Sequence, residues 1–276
     1  MNSVFRFLIL SALTLISCGA MPLDREIRKS ADALDQAAYD SSFFFINKKE
    51  HMFEPTVKLT LSEKMTTFMG FDLGEPIFVP VSSATGFAFK WNKQTNRTYI
   101  LTNNHFCEDL FFLDGIITAE TGSMMKEKDT SFIGMEAALE FTDPQYDLCV
   151  VSVGVKLTTV SFENEKLKLK PMDELTIVGA PMGVYPIIIN TSFSQYVPRL
   201  WGALGDMNTE GNDFLMVSSI IMPGSSGSPV FNDSGKVVGI IYSGSQSQGL
   251  PIYGGMAIPV ADINLFLSSD ELEHIY

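Results

Sequence analysis

From about residue 56 onward the chain is written in short apolar runs, and this feature limits its fold more than any other. Residues 57–61 alternate apolar and polar side chains, as a strand with one buried face does. Similar runs of four to six residues follow at 87–91, 98–102, 148–153, 175–178, 214–217 and 237–242. Clusters of Gly, Asn, Asp and Pro between them supply turns. Many short strands with few long helical patterns imply an antiparallel sandwich or barrel. A helix is expected only near the end, where Ile263, Phe266 and Leu267 keep one face apolar. No repeat, low-complexity tract or linker interrupts residues 56–276, so they are read as one domain. With 46% hydrophobic and 18% charged residues, the 276-residue chain has the composition of a globular protein.

The first fifty-five residues have a different character. Residues 1–17 carry one arginine and then an apolar run over 7–16, too short for a bilayer core that needs about twenty residues. A charged start, a short apolar middle and small residues after it describe an export signal. The run stops at Leu15-Ile16-Ser17-Cys18, which resembles the lipobox of bacterial lipoproteins. That resemblance implies cleavage before Cys18 and acylation of its thiol, leaving the protein held at a membrane by a lipid anchor. The alternative is an ordinary signal peptide cut near Ala20, and a secreted product. Gly19, in place of aspartate after the cysteine, favours the outer membrane under Gram-negative sorting rules. Residues 18–55 then form a tether, in which Leu23, Ile27, Ala31, Leu34 and Ala38 recur at helical spacing before an apolar patch at 43–46.

Charge and ligand counts exclude several classes of function. The formal net charge is −13, which opposes nucleic-acid binding because phosphates need a basic surface. The acidity sits mainly in the domain: 25 acidic against 13 basic residues over 56–276, and 7 against 5 over 19–55. Three histidines and three cysteines are too few for a typical multi-ligand zinc or iron–sulfur site, so neither metal nor cofactor is expected.

Three segments carry chemistry. LTNNH at 101–105 is a strand running into a turn that presents His105. DPQYDLCV at 143–150 places Asp147 at the mouth of a strand. PGSSGSPV at 223–230 is a glycine-flanked serine turn followed by a strand. His, Asp and Ser are the set needed to make a hydroxyl nucleophilic. A neutral imidazole takes the serine proton, and a carboxylate fixes the tautomer and stabilises the imidazolium. Glycines beside the serine let backbone N–H groups reach a developing oxyanion, at about 3–4 kcal/mol per donor.

These segments resemble the trypsin-like serine peptidases, and in particular the peptidase domain of the bacterial HtrA/Deg proteins. TGFAF at 85–89, KLKPMDELTIVGAPMG at 168–183, Gly239-Ile240 and GMAIP at 255–259 also match in order, so the resemblance covers about residues 80–262. It implies a fold of two six-stranded β-barrels with the site between them. By position it makes His105 the general base, Asp147 the orienting carboxylate and Ser226 the nucleophile, with Gly224 and Ser226 N–H groups as oxyanion hole. His51 and His274 lie outside the matched region and are expected to be surface residues. Asp143 competes with Asp147, and Ser225 and Ser228 flank Ser226, but only Ser226 has the glycine spacing on both sides.

Departures from the family pattern sharpen the expectations. Ser225 stands where trypsin-type enzymes carry the aspartate of the zymogen switch, so the enzyme should be competent once folded. The sequence stops about fourteen residues after the last matched strand, so the PDZ domain of HtrA proteins is expected to be absent. The expected specificity pocket comprises Ile220 at the floor, Ile241, Ser243 and Gly255. It offers no carboxylate for Arg or Lys, and none of the histidine that glutamyl endopeptidases use. A small or apolar side chain before the scissile bond is expected. Cys107 and Cys149 each sit two residues beyond a triad member, and export permits them to form a disulfide, the alternative being two buried thiols. The reading is an exported, lipid-anchored serine endopeptidase acting on polypeptides. Its rivals are a secreted glutamyl-endopeptidase-like enzyme and an inert surface lipoprotein that uses the cleft for binding.

Overall fold

The structure is a computed structural model that describes residues 52–68, 71–121, 134–198, 212–247 and 250–276. The signal segment, Cys18, the tether helix and His51 lie outside these residues. Residues 48–276 form one compact unit. Its first half contains β1 (Thr56–Phe68), β2 (Phe71–Asn92), β3 (Arg97–Thr102), α1 (Asn104–Phe112), β4 (Gly115–Thr121), β5 (Met135–Asp143) and β6 (Leu148–Val153). These strands close into an antiparallel barrel in the order β1-β2-β3-β6-β5-β4.

A second closed barrel, β10-β11-β12-β9-β8-β7, is built from β7 (Glu174–Gly179), β8 (Ile187–Val197), β9 (Phe214–Val217), β10 (Pro229–Asn232), β11 (Val237–Ser247) and β12 (Leu250–Pro259). The expected pair of six-stranded barrels is therefore present. A helix, α2 (Val260–Leu267), follows, and then a 3-10 segment, Asp270–Ile275. Among the described residues no helix is long and apolar enough to cross a membrane.

Alternation explains the first barrel. Val57, Leu59 and Leu61 are all 0% exposed and point into one core with Ala84, Ala88, Ile100, Ile117 and Val151, whereas Lys58 and Thr60 on the other face are partly solvated. Register fixes this choice, because Val57 pairs with Gly86 on one side and Thr121 on the other. β6 is buried at every position, which is why its sequence reads as a continuous apolar run. The second core gathers Leu175, Ile177, Phe193, Leu215, Val217, Val230, Val238, Ile241 and Ala257.

Two features differ from the sequence reading. The expectation of a helix only near the end is corrected by α1, which begins at Asn104 and carries His105 in its first turn. Nine residues are too few to show a clear helical period, and tertiary contacts hold this helix in place. The strands β4, β5 and β8 were also not expected. β5 reads MEAALEFTD, rich in residues of low β-propensity, and is made a strand by pairing with β4 and β6.

The final segment returns to the first barrel. Asn92 on β2 donates its Nδ2–H to the Ile275 carbonyl at 3.2 Å. Tyr99 on β3 meets the His274 ring edge-on, and Phe141 on β5 stacks on Phe266 of α2 at 5.6 Å. Leu272 and Ile275 are both 0% exposed. Truncating either to alanine is expected to cost about 2–5 kcal/mol, the usual range for emptying a core position. Urea unfolding followed by tryptophan fluorescence measures this, and a change below about 0.5 kcal/mol would mean that the final segment does not brace the first barrel.

Candidate active site

The site begins with an unusual backbone residue. Asp147 lies in the left-handed region with φ +54°, a conformation costing roughly 1–2 kcal/mol for most L-residues and tolerated by Asp better than by most. The buried Asn103 side chain steadies it, donating Nδ2–H to the Asp147 carbonyl at 3.1 Å. The carboxylate, with its side chain 3% exposed, then meets His105 twice. Oδ1 accepts the His105 backbone N–H at 2.8 Å, and Oδ2 lies 2.8 Å from Nδ1. The first bond satisfies an N–H that the first turn of α1 leaves without a helical partner, and it puts negative charge at the helix N-terminus. The second places the proton on Nδ1 and leaves Nε2 as the basic nitrogen, an assignment that follows from the hydrogen bond.

The electrostatics of the pair favour a charged imidazole. Burial works to lower the His105 pKa, but the hydrogen bond and charge of Asp147, helped by Glu108 and Asp109, raise it above the ordinary 6.5. Burial pushes the Asp147 carboxyl up, and its bonds from His105 hold it back. Asp143 serves another purpose, since its Oδ1 accepts the N–H groups of Gln145 and Tyr146 and closes the turn before Asp147.

A disulfide closes the back of this arrangement. Cys107 on α1 and Cys149 on β6 are bonded, 42 residues apart in sequence. Thr102, at the end of β3, pairs directly with Cys149. The His105 and Asp147 segments are thus joined by backbone pairing, a side-chain amide, a carboxylate and a covalent bridge.

Ser226 comes from the second barrel, in the loop between β9 and β10. Its hydroxyl donates to the Tyr242 carbonyl at 3.3 Å, and the Tyr242 ring lies edge-on to His105 with centroids 6.1 Å apart. Tyr242 therefore adjoins both groups, a role the sequence reading missed although it named the residues on either side. Ser225 is 1% exposed and Ser228 0%, so neither hydroxyl is accessible to a substrate.

The carbonyls of residues 222–226 all have donors. Met222 O accepts from Ser225 N, Pro223 O from Met182 N at 2.6 Å, and Gly224 O from the Thr85 hydroxyl at 2.9 Å. Ser225 O accepts from Ser228 N, and Ser226 O from Thr85 N at 2.8 Å. Gly224 has φ +90°, and its N–H and that of Ser226 donate to no carbonyl among the described residues. A loop with its carbonyls engaged and two amides in reserve is suited to stabilising an oxyanion.

The expected specificity pocket needs revision at Ile220 and Ile241. Ile220, expected at the floor, is instead 65% exposed, because its side chain projects into solvent. Ile221 packs against the second core, and a Cβ added to Gly255 would lie 2.1 Å from Ile221 Cγ1. The side chain of Ile221 thus occupies the space that Gly255 leaves open. Ile241 is fully buried in the barrel core behind this surface. Ser243 pairs with Met256 through its backbone, and its side chain lies outside the described residues. His274 is an exposed residue of the final segment, with Nδ1 2.9 Å from the Glu271 carbonyl oxygen.

The chain is 28% identical over 194 residues to the serine protease Do-like HtrB of Bacillus subtilis, covering 64% of this chain and 37% of that one. It is 34% identical over 148 residues to a probable periplasmic serine endoprotease, DegP-like, of Pseudomonas putida, covering 51% of this chain and 26% of that one. The chain thus spans well under half the length of these relatives. A solved HtrA-type protease with tripeptide shares the fold, with TM-score 0.56 and 20% identity over 80% of this chain and 61% of the other. The family model described as trypsin-like peptidase domain matches residues 84–240, more than half of the 276 and inclusive of His105, Asp147 and Ser226, so the chain belongs to the trypsin-like peptidase family.

Proposed function

We propose that this protein is an exported serine endopeptidase that hydrolyses polypeptides through an acyl-enzyme. The observation that carries this reading is the pair of hydrogen bonds that the Asp147 carboxylate accepts from His105, with the Ser226 hydroxyl on the carbonyl of Tyr242, whose ring lies against the same imidazole. The activated state requires the Ser226 hydroxyl to leave the Tyr242 carbonyl and turn to Nε2. Hydrogen bonds of this kind are often loose before substrate binds.

The steps follow from these positions. Ser226 Oγ attacks the scissile carbonyl carbon as its proton passes to His105 Nε2, and Asp147 stabilises the resulting imidazolium. The carbonyl oxygen becomes an oxyanion, held by the Gly224 and Ser226 N–H groups. Collapse breaks the C–N bond, and Nε2 returns its proton to the leaving amine. Water then attacks the ester with its proton taken by Nε2, releasing the new carboxylate and restoring Ser226. Ile221, set against Gly255, narrows the pocket and supports a small or apolar residue before the scissile bond. Acylation of Cys18 would hold the domain at the outer membrane. Intact mass of the mature protein tests this: an acylated Cys18 at the N-terminus is expected, and a start after residue 18 would contradict it.

Hydrolysis of an apolar peptide panel tests the activity. Ser226→Ala should lower kcat/KM by at least about 10⁴-fold with the fold intact. Undiminished cleavage by this variant would assign the activity to another group.

The raised His105 pKa sets the pH dependence. The base works only when neutral, so kcat/KM should fall as pH drops through a midpoint above 6.5. Asp147→Asn removes the group that favours the imidazolium, so the midpoint should move down while the rate falls about 10⁴-fold. A midpoint that stays put in Asp147→Asn would contradict the pairing. Glu108→Gln should shift it down by a smaller amount.

A further inference from the structure

Thr85 lies on β2 of the first barrel, 0% exposed, in the TGFAF stretch that matches the family only as a strand. All of its polar atoms are engaged. Its backbone N–H donates to the Ser226 carbonyl at 2.8 Å. Its hydroxyl donates to the Gly224 carbonyl and accepts the Ala180 N–H, both at 2.9 Å. Its carbonyl accepts the Thr102 hydroxyl at 2.7 Å, from the strand that leads to His105. One buried residue of the first barrel thereby grips the nucleophile loop of the second at two alternate positions, 224 and 226.

The contact is too close for coincidental packing. A Cβ at Gly227 would fall 1.9 Å from the Thr85 carbonyl oxygen and 2.4 Å from Thr102 Oγ1, so the loop can dock here only because residue 227 is glycine. The Ala180 link also continues into the loop. Ala180 precedes the turn Pro181–Gly183, whose Met182 N–H holds the Pro223 carbonyl at 2.6 Å. The Pro223 and Gly224 carbonyls are therefore anchored on either side of the Gly224 N–H. Turning either carbonyl inward would withdraw or block an amide that faces the oxyanion.

We propose that the Thr85 hydroxyl is a positioning group for the oxyanion hole, acting across the barrel boundary by fixing the Gly224 carbonyl and, through Ala180, the turn that fixes the Pro223 carbonyl. This rests on the peptidase reading above. Thr85 does not touch the substrate. Removing its hydroxyl leaves a buried carbonyl and a buried N–H unpaired, and the loop relaxes to find other partners.

The Thr85→Val and Thr85→Ser variants test this, because valine keeps the shape and serine keeps the hydroxyl. With the peptide substrate, Thr85→Val should lower kcat on the order of 100-fold, the scale of losing one oxyanion donor, with KM changed less than about threefold. Thr85→Ser should recover kcat to within about threefold of wild type. The acid limb of the pH profile should not move in Thr85→Val, since the His105–Asp147 pair is untouched. Equal kcat in Thr85→Val and wild type would overturn the assignment, as would a loss confined to KM or a shifted acid limb. Wild-type protein that cleaves nothing would instead sink the peptidase reading itself. If Thr85→Val does not fold, Thr85→Ala carries the same comparison. Amide exchange of the wild type reads the clasp directly: the Ala180 N–H should exchange only on global unfolding, and faster local exchange would overturn the clasp.

Discussion

Everything at the site hangs on the two oxygens of one carboxylate. Asp147 uses Oδ1 to complete the first turn of α1 and Oδ2 to orient the imidazole that this turn carries. The helix end and the imidazole tautomer are therefore set by the same group. That coupling explains the left-handed backbone at Asp147, since the chain must turn sharply out of the Pro144 bend to aim both oxygens at one residue. It also explains the reinforcement around it. Asn103 holds the Asp147 carbonyl, the β3–β6 pairing holds Thr102 against Cys149, and the Cys107–Cys149 bridge ties α1 to β6. A separation of 42 residues gives such a bridge a loop-closure contribution of about 4 kcal/mol in the chain-entropy model.

The nucleophile side is organised differently. No covalent bridge among the described residues holds the Ser226 loop, which keeps its shape by placing every carbonyl from 222 to 226 on a named donor. Three of those donors lie outside the loop, two from Thr85 and one from Met182. The imidazole and the proposed oxyanion hole thus belong to separate barrels, and their relative placement is set where β2 meets the 223–228 turn. In the family's trypsin-type members an aspartate immediately before the nucleophile pairs with a new N-terminus after zymogen cleavage. The residue at that position here is the buried Ser225, and the cross-barrel contacts order the loop instead.

The fold was legible where one strand face is buried and the other wet, as at 57–61, and where a strand is buried throughout, as in β6. It was obscure where pairing overrides composition. β5 is written in Ala and Glu, and β8 carries a mostly half-exposed pattern, so neither announces itself. The site's chemical groups could be read from their motifs, whereas its supports could not. Tyr242, Thr85 and Asn103 act through a carbonyl, a hydroxyl and an amide whose partners come from other segments, and although Thr85 and Asn103 fall inside matched segments, nothing local shows these bonds. The displacement of Ile220 by Ile221 has the same origin. Adjacent isoleucines are equivalent in sequence, and only the open space over Gly255 decides which turns inward.

The central claim is that Ser226 is a nucleophile made reactive by His105 and Asp147. Exposure of the folded protein to a fluorophosphonate, followed by peptide mapping, tests it most directly. The account predicts a single adduct on Ser226, absent from Ser226→Ala and formed far more slowly in Asp147→Asn. No adduct on folded wild-type protein, or an adduct on a different serine, would contradict it.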